Sequence, residues 1–267
     1  MLKKNNQPIG VFDSGVGGLS VLIELKKKLP NEDFVFLADQ KYVPYGEKTK
    51  EELIKLVYKI TDYLIKNHNI KIMVVACNTA TCNAIDEIRS KYSIPIVGTV
   101  PAVKLAAKQS KTGTVACIAT PSTSKSDRLK NIIKDFCQNV EVINIGCKNL
   151  EDAVEEGELE SMQVNKLLHK YLDKVKNSDT DYLVLGCTHY PFLKKPIRKI
   201  LGSKIKLIDS GKAIARRTEW LLKNDSIKNT QKKKGNVIYF TTGDSKKFSK
   251  VASKLMKEDL ETQNVKI

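Results

Sequence analysis

Cys77 and Cys187 each close a short apolar run and open a polar one, in Ala76-Cys77-Asn78-Thr79 and Gly186-Cys187-Thr188-His189. Open parallel sheets bind ligands beyond the carboxyl ends of their strands, so a thiol at such a junction faces a crevice. A helix that starts there favours the thiolate and offers backbone amides to a carboxylate or phosphate. Asn78, Thr79 and Thr188 suit a capping position and can also hydrogen-bond a ligand. His189, two residues beyond Cys187, is placed to set that thiol's protonation near neutral pH. The blander reading, a cysteine that is simply a small buried hydrophobe, fits Cys117 inside an apolar run and Cys137 late in a helical one. Cys82 and Cys147 read as structural too, and His68 and His169 as packed or surface residues.

Asp13-Ser14-Gly15-Val16-Gly17-Gly18 ends an apolar run and opens a helical one, its glycines permitting close backbone approach to a ligand. No Gly-Lys-Ser/Thr follows, and the G-x-G-x-x-G spacing of a dinucleotide site is absent. Asp13 stands at the same crevice rim as the two cysteines, with a plain helix cap as its alternative role. Pro44-Tyr45-Gly46 reads as a turn on the carboxyl side of another strand. Glu155, taken by itself, reads as a helix charge.

Two thiols facing one crevice from opposite sides narrow the chemistry. A disulfide oxidoreductase keeps its pair close in sequence, as C-x-x-C. A cysteine hydrolase needs one nucleophile and a base, so a second matched thiol is redundant. A two-base proton transfer needs two groups of like pKa on opposite faces of one carbon, one removing a proton and the other returning one. That logic points to a racemase or epimerase. A thiol redox protein and, from charge alone, a nucleic-acid-binding protein are its rivals.

The elements that must carry these residues are legible as alternation. Strands are expected over 9–13, 33–38, 70–76, 94–97, 114–119, 140–145, 182–185 and 206–208. Helices are expected over 17–29, 49–67, 80–92, 124–136, 160–175 and around 214–222. Near-continuous apolar strands spaced by helices mean parallel sheets covered on both faces. The alternation also repeats. Phe12-Asp13-Ser14-Gly15 aligns with Ala119-Thr120-Pro121-Ser122, 34–37 with 140–143, 73–79 with 183–189, and 94–98 with 205–209. Four landmarks in one order, offset by about 110 residues, imply two copies of one unit. The expected fold is α/β: two pseudo-symmetric parallel-sheet domains with the active site in the cleft between them. Residues 1–98 plus 212–267 are expected to form the first domain, with Asp13 and Cys77, and 99–211 the second, with Cys187 and His189.

Composition sets the outer limits. Of 267 residues, 41% are hydrophobic and 28% charged, enough to bury a large core. No apolar run approaches the roughly 18 residues of a membrane span. Met1-Leu-Lys-Lys-Asn-Asn-Gln lacks the apolar stretch of a secretory signal. A soluble cytoplasmic protein is therefore expected, with no membrane partner. The six cysteines form no short-spaced clusters, so free thiols and no metal site are expected. A net charge of +16 invites thought of nucleic acid, but Arg stands only at 89, 128, 198, 216 and 217, and aromatics make up 6%. Lysine scattered over every helical segment reads as solvated faces, and no nucleic-acid partner is expected.

The segments FDSGVGGLSV, PYGEKT, VVACNTAT, ATPST and LGCTHYP, in this order, closely resemble the bacterial glutamate racemases of the aspartate/glutamate racemase superfamily. The resemblance extends to the late FTTGDSKKFSKVA segment and covers nearly the whole chain. It implies cofactor-independent interconversion of L- and D-glutamate, supplying D-glutamate for peptidoglycan. Cys77 and Cys187 match the family's two proton donor/acceptors, Cys77 for the D-enantiomer's α-proton and Cys187 for the L-enantiomer's. Asp13 and His189 match the groups assisting the thiols, and Glu155 a further acidic assistant near His189. Asp13, Ser14, Pro44, Tyr45, Gly46, Asn78, Thr79, Thr188 and His189 match substrate-binding positions, with Thr120 and Thr123 adding carboxylate contacts. Glutamate is the expected small-molecule partner and a homodimer the expected assembly. The chain departs from the family at Lys148-Asn-Leu-Glu-Asp-Ala, where a P-x-F-x-P-L stretch is usual, and at Asp127-Arg128, where a Tyr is frequent. Aspartate racemisation, or a related acid isomerisation, is the neighbouring alternative.

Overall fold

The computed structural model of the protein describes residues 4–267. Met1, Leu2 and Lys3, part of the segment from which no leader is expected, lie outside the described residues. The first half alternates β1 (Ile9–Asp13), α1 (Leu19–Lys28), β2 (Phe34–Ala38), α2 (Lys50–His68), β3 (Ile72–Val75), α3 (Asn78–Lys91) and β4 (Ile96–Gly98). α4 (Val103–Gln109) leads into β5 (Thr114–Ala119), α5 (Pro121–Lys125), α6 (Asp127–Phe136), β6 (Glu141–Gly146) and α7 (Leu150–Glu155). Next come α8 (Met162–Lys176), β7 (Tyr182–Leu185), α9 (Lys194–Leu201) and β8 (Lys206–Ile208). The tail contributes α10 (Gly211–Asn224), β9 (Val237–Thr241), α11 (Ser245–Met256) and β10 (Thr262–Asn264).

One sheet runs β10-β9-β2-β1-β3-β4 and the other β6-β5-β7-β8, every pairing parallel. The order β2-β1-β3-β4 matches β6-β5-β7-β8 strand for strand, so the four sequence landmarks fall on equivalent strands. The fold is two parallel-sheet α/β domains. β1, β2, β3, β5 and β7 are buried along their whole length, as strands covered on both faces must be. The tail returns to the first sheet, where β9 pairs with β2 from Phe34↔Val237 to Ala38↔Thr241. α10 packs on α1. One apolar cluster, including Val11, Leu22, Leu168, Leu185, Tyr190, Ile197, Leu222 and Phe248, is continuous between the two sheets.

Several boundaries differ from the pattern-based expectation for local reasons. The expected helix over 124–136 is two helices, because Ser126 is extended and caps the second by accepting from Leu129 N. α5 begins earlier, at Pro121, with Thr120 as its cap. α3 opens at Asn78 rather than 80 because Cys77 is itself the cap. α2 starts with the reciprocal Thr49–Glu52 capping box. The structure adds α4, α7, α9, β9, α11 and β10 to the elements expected: the helices among them are short or lysine-rich, and β9 takes its place between β2 and β10. Among the described residues no helix is long and apolar enough to cross a membrane.

Candidate active site

Equivalent strands deliver the two cysteines to one place. β3 ends at Val75 and β7 at Leu185; two residues further on, Cys77 and Cys187 line a single cavity. Its other walls are Ser14, Val43, Pro44, Tyr45, Gly46, Asn78, Thr79, Thr120, Glu151, Thr188 and His189. The cavity's free volume of about 20 Å³ admits water but no amino acid.

At the first thiol, Cys77 Sγ caps α3 by accepting from Ala80 N at 3.4 Å and lies 3.7 Å from Ser14 Oγ. Ser14 Oγ in turn donates to Asp13 Oδ1 at 3.3 Å, so a hydroxyl bridges the carboxyl and the thiol. Asp13, the last residue of β1, also accepts from Gly15 N at 2.9 Å and from Thr188 Oγ1 at 3.0 Å. At the second thiol, Cys187 Sγ lies 3.4 Å from His189 Nδ1, and His189 Nε2 lies 2.6 Å from Glu155 Oε1. Val16 N (2.9 Å) and Gln40 Nε2 (2.6 Å) also donate to Glu155. Each half thus reaches across the seam: Asp13 holds Thr188, and Glu155 holds the backbone of Val16.

The hydroxyls converge likewise. Thr79 Oγ1 lies 3.0 Å from Thr120 Oγ1 and 3.2 Å from Thr123 Oγ1. Asn78 Nδ2 donates to Thr99 O, and Tyr45 OH to Asp39 Oδ2. Asp13, Thr123 and Glu155 stand behind the cavity wall and hold residues that line it; the other sequence-derived positions are on the wall itself. Val43 and Glu151 line it as well and were missed. Val43 carries no polar signal, while Glu151 sits in the stretch that departs from the family pattern.

The glycines after Asp13 have a different use from the ligand approach expected of them. A β-carbon on Gly15 would sit 1.8 Å from Glu155 Oε1, and one on Gly17 2.5 Å from His189 Nδ1. They admit the acid and imidazole of the other domain to the backbone of the first.

Burial dominates the electrostatics. It pushes Cys77 well above the ordinary thiol range, with the nearby Asp13 charge pushing it further, and it raises Cys187 against the opposing pull of His189. At Cys77 desolvation outweighs the Ala80 amide and the Ser14 hydroxyl, so the start of α3 does not by itself favour the thiolate expected there. Burial also raises Asp13, against the pull of His189 and the Gly15 and Thr188 donors. For His189 burial alone would lower the pKa, but the Cys187 thiol group and Glu155 outweigh it and hold the imidazole well above its usual range. The remaining thiols stay apart: Cys117, Cys137 and Cys147 are buried and Cys82 is half-buried, all free. His68 packs on Phe240 and Tyr63, and His169 is exposed. Among the described residues no group of His, Cys, Asp and Glu side chains is arranged to hold a metal.

Fold and site together define a class, the racemases built from two like parallel-sheet domains. Residues 20–218 match the family model described as Asp/Glu/hydantoin racemase. The chain is 39% identical to a glutamate racemase of Clostridium botulinum over 96% of its length and 99% of that protein's. It is 40% identical to one from Herpetosiphon aurantiacus, over 92% and 96% respectively. Among solved structures, glutamate racemase isoform RacE1 of Bacillus anthracis superposes with a TM-score of 0.91 at 30% identity, covering 98% of both chains. The glutamate racemase of Francisella tularensis in complex with D-glutamate gives 0.85 at 30% identity, again over 98% of both. This chain belongs to the glutamate racemase family.

Proposed function

We propose that the protein interconverts L- and D-glutamate by a cofactor-independent two-thiol proton transfer. The reading is carried by one observation: Cys77 and Cys187, from equivalent positions in the two domains, line the same cavity. The Cys77 thiolate takes the α-proton of D-glutamate, and the Cys187 thiol gives its proton to the opposite face of the resulting carbanion, yielding L-glutamate. The reverse direction exchanges the roles. An α-carbon beside a carboxylate is a weak acid and a thiolate a modest base, so donors fixed in advance must stabilise the developing charge. Asn78, Thr79, Thr120, Thr188 and the backbone amides opening α3 supply such donors. The Asp13–Ser14 pair and the His189–Glu155 pair reset the proton on Cys77 and Cys187 respectively.

Burial disfavours ionisation of both thiols, at Cys187 against the pull of His189, so ionisation of one must accompany glutamate binding. The closed volume also requires the walls to part for entry, which makes relative motion of the two domains a step in turnover. We assign 1–98 plus 212–267 to one moving body and 99–211 to the other. In the cell the protein acts as a cytoplasmic homodimer supplying D-glutamate to peptidoglycan synthesis. Incubation of purified protein with L-glutamate in D₂O, without added cofactor, is expected to yield D-glutamate deuterated at the α-carbon. Unlabelled product, or none, would overturn the two-base reading.

A further inference from the structure

α7 turns two carboxyl groups toward the site from one face, since Glu151 and Glu155 are four residues apart. Their surroundings differ. Glu155 is met by Val16 N, Gln40 Nε2 and His189 Nε2. Glu151 lines the cavity itself, is 8% exposed, and its buried Oε2 has no hydrogen-bond partner. A buried carboxyl oxygen left unpaired is costly unless something else completes it. Glutamate brings two carboxylates into this cavity, where His189 is the one lining side chain among the described residues able to carry positive charge.

We propose that Glu151 is a further substrate-contacting residue, its free carboxyl oxygen carrying a proton and donating it in a hydrogen bond to a carboxylate of the bound amino acid. This rests on the glutamate-racemase reading above. The protonated form suits the surroundings. Facing Glu151 are Cys187, His189 and Tyr190 after β7, Cys147 before α7, Glu47 from the other domain, and the adjacent Asp152. Tyr171 of α8 is engaged instead with the backbone of Lys148. Burial favours the neutral acid and outweighs the opposing pull of its own backbone amide and of His189. An ionised Glu151 would repel an anionic substrate, whereas a neutral one adds a donor where the cavity is short of cations.

The test is KM and kcat for each enantiomer from roughly pH 4.5 to 9 in wild type, Glu151→Gln and Glu151→Val, with thermal melts to check folding. Wild-type KM should rise wherever, above the ordinary carboxylic-acid range, Glu151 gives up its proton. Glu151→Gln keeps a donor at every pH, so its KM should stay near the wild-type low-pH value without that rise. Glu151→Val should raise KM about tenfold at low pH, with kcat within about threefold. A valine variant with wild-type KM, or a wild-type KM that falls with pH as an ionised Glu151 meets the substrate ammonium, overturns the proposal. Calorimetric binding of D-glutamate to the Cys77→Ser protein reads the same dependence without turnover. Loss of racemisation with this binding pattern intact would therefore condemn the two-thiol mechanism and spare the Glu151 contact.

Discussion

Glu155 Oε1 lies 2.6 Å from His189 Nε2, an acid at the end of α7 gripping the imidazole that follows β7. The grip orients the ring so that its other nitrogen faces Cys187 Sγ at 3.4 Å. Loss of the acidic partner behind a metal-bound histidine costs about 10- to 100-fold, and a loss of the same order is expected where the partner orients an imidazole toward a thiol. Glu155→Gln should lower kcat by about that factor. The loss should be larger for abstraction from L-glutamate, because Cys187 depends on His189 and Cys77 does not. Initial-rate loss of α-deuterium from each labelled enantiomer checks the asymmetry.

Cys77→Ser and Cys187→Ser should each reduce racemisation by about 10³-fold or more, since a serine hydroxyl is a far poorer base than a thiolate. Each variant should keep slow α-proton exchange with only one enantiomer, Cys187→Ser with D-glutamate and Cys77→Ser with L-glutamate. Proton NMR in D₂O separates exchange from inversion. Full racemase activity in either variant would leave the paired-thiol account without support.

Gly17→Ala should fold and lose about 100-fold in kcat. The added methyl would come 2.5 Å from His189 Nδ1 and 2.6 Å from Thr188 Oγ1, prising the imidazole from its place. A displacement of about 1 Å at a reacting group is enough for a loss of that size. Circular dichroism against a rate assay distinguishes a misplaced site from an unfolded chain.

Stability should fall with rising pH through the titration of His189. Its folded pKa lies above the ordinary 6.5, so the native state holds a proton that the unfolded state releases. The stabilisation is complete below that ordinary value and is lost as pH climbs through the folded one. Asp13, raised from 3.8 by burial, acts with the same sign in a window that begins lower. The melting temperature of His189→Asn should accordingly decline less steeply than that of wild type between about pH 6.5 and 8.5.

Lys71 and Glu32 form an ion pair 0% and 1% exposed, tied also to Asn5 O and to Asn229 N of the tail. Glu32→Gln strands a buried ammonium and should destabilise the fold by about 3–5 kcal/mol. The double variant Glu32→Gln/Lys71→Met should regain much of that loss, because no charge is then left unpaired. Urea unfolding of the two singles and the double measures the coupling.

The alternation of apolar runs and helical periods, the repeat, and the strand-end position of both cysteines were all legible in the chain. Burial on both faces of a parallel strand writes itself as a continuous apolar run, and thiols among polar neighbours mark where such a run ends. Resemblance supplied the further assignment of Glu155, which by spacing alone is one helix charge among many. Tertiary structure decided what local pattern does not encode. β9, for one, takes its place in the sheet by pairing with β2, about 200 residues away in sequence. Only packing revealed that Gly15 and Gly17 make room for Glu155 and His189, and that desolvation outweighs the helix start at Cys77. Likewise Glu151 and Asp152 stand side by side in α7, and only packing buries the first against the cavity and leaves the second exposed. Periodicity reports which side of an element is buried; what lies opposite is set by how two domains meet, and there the chemistry resides.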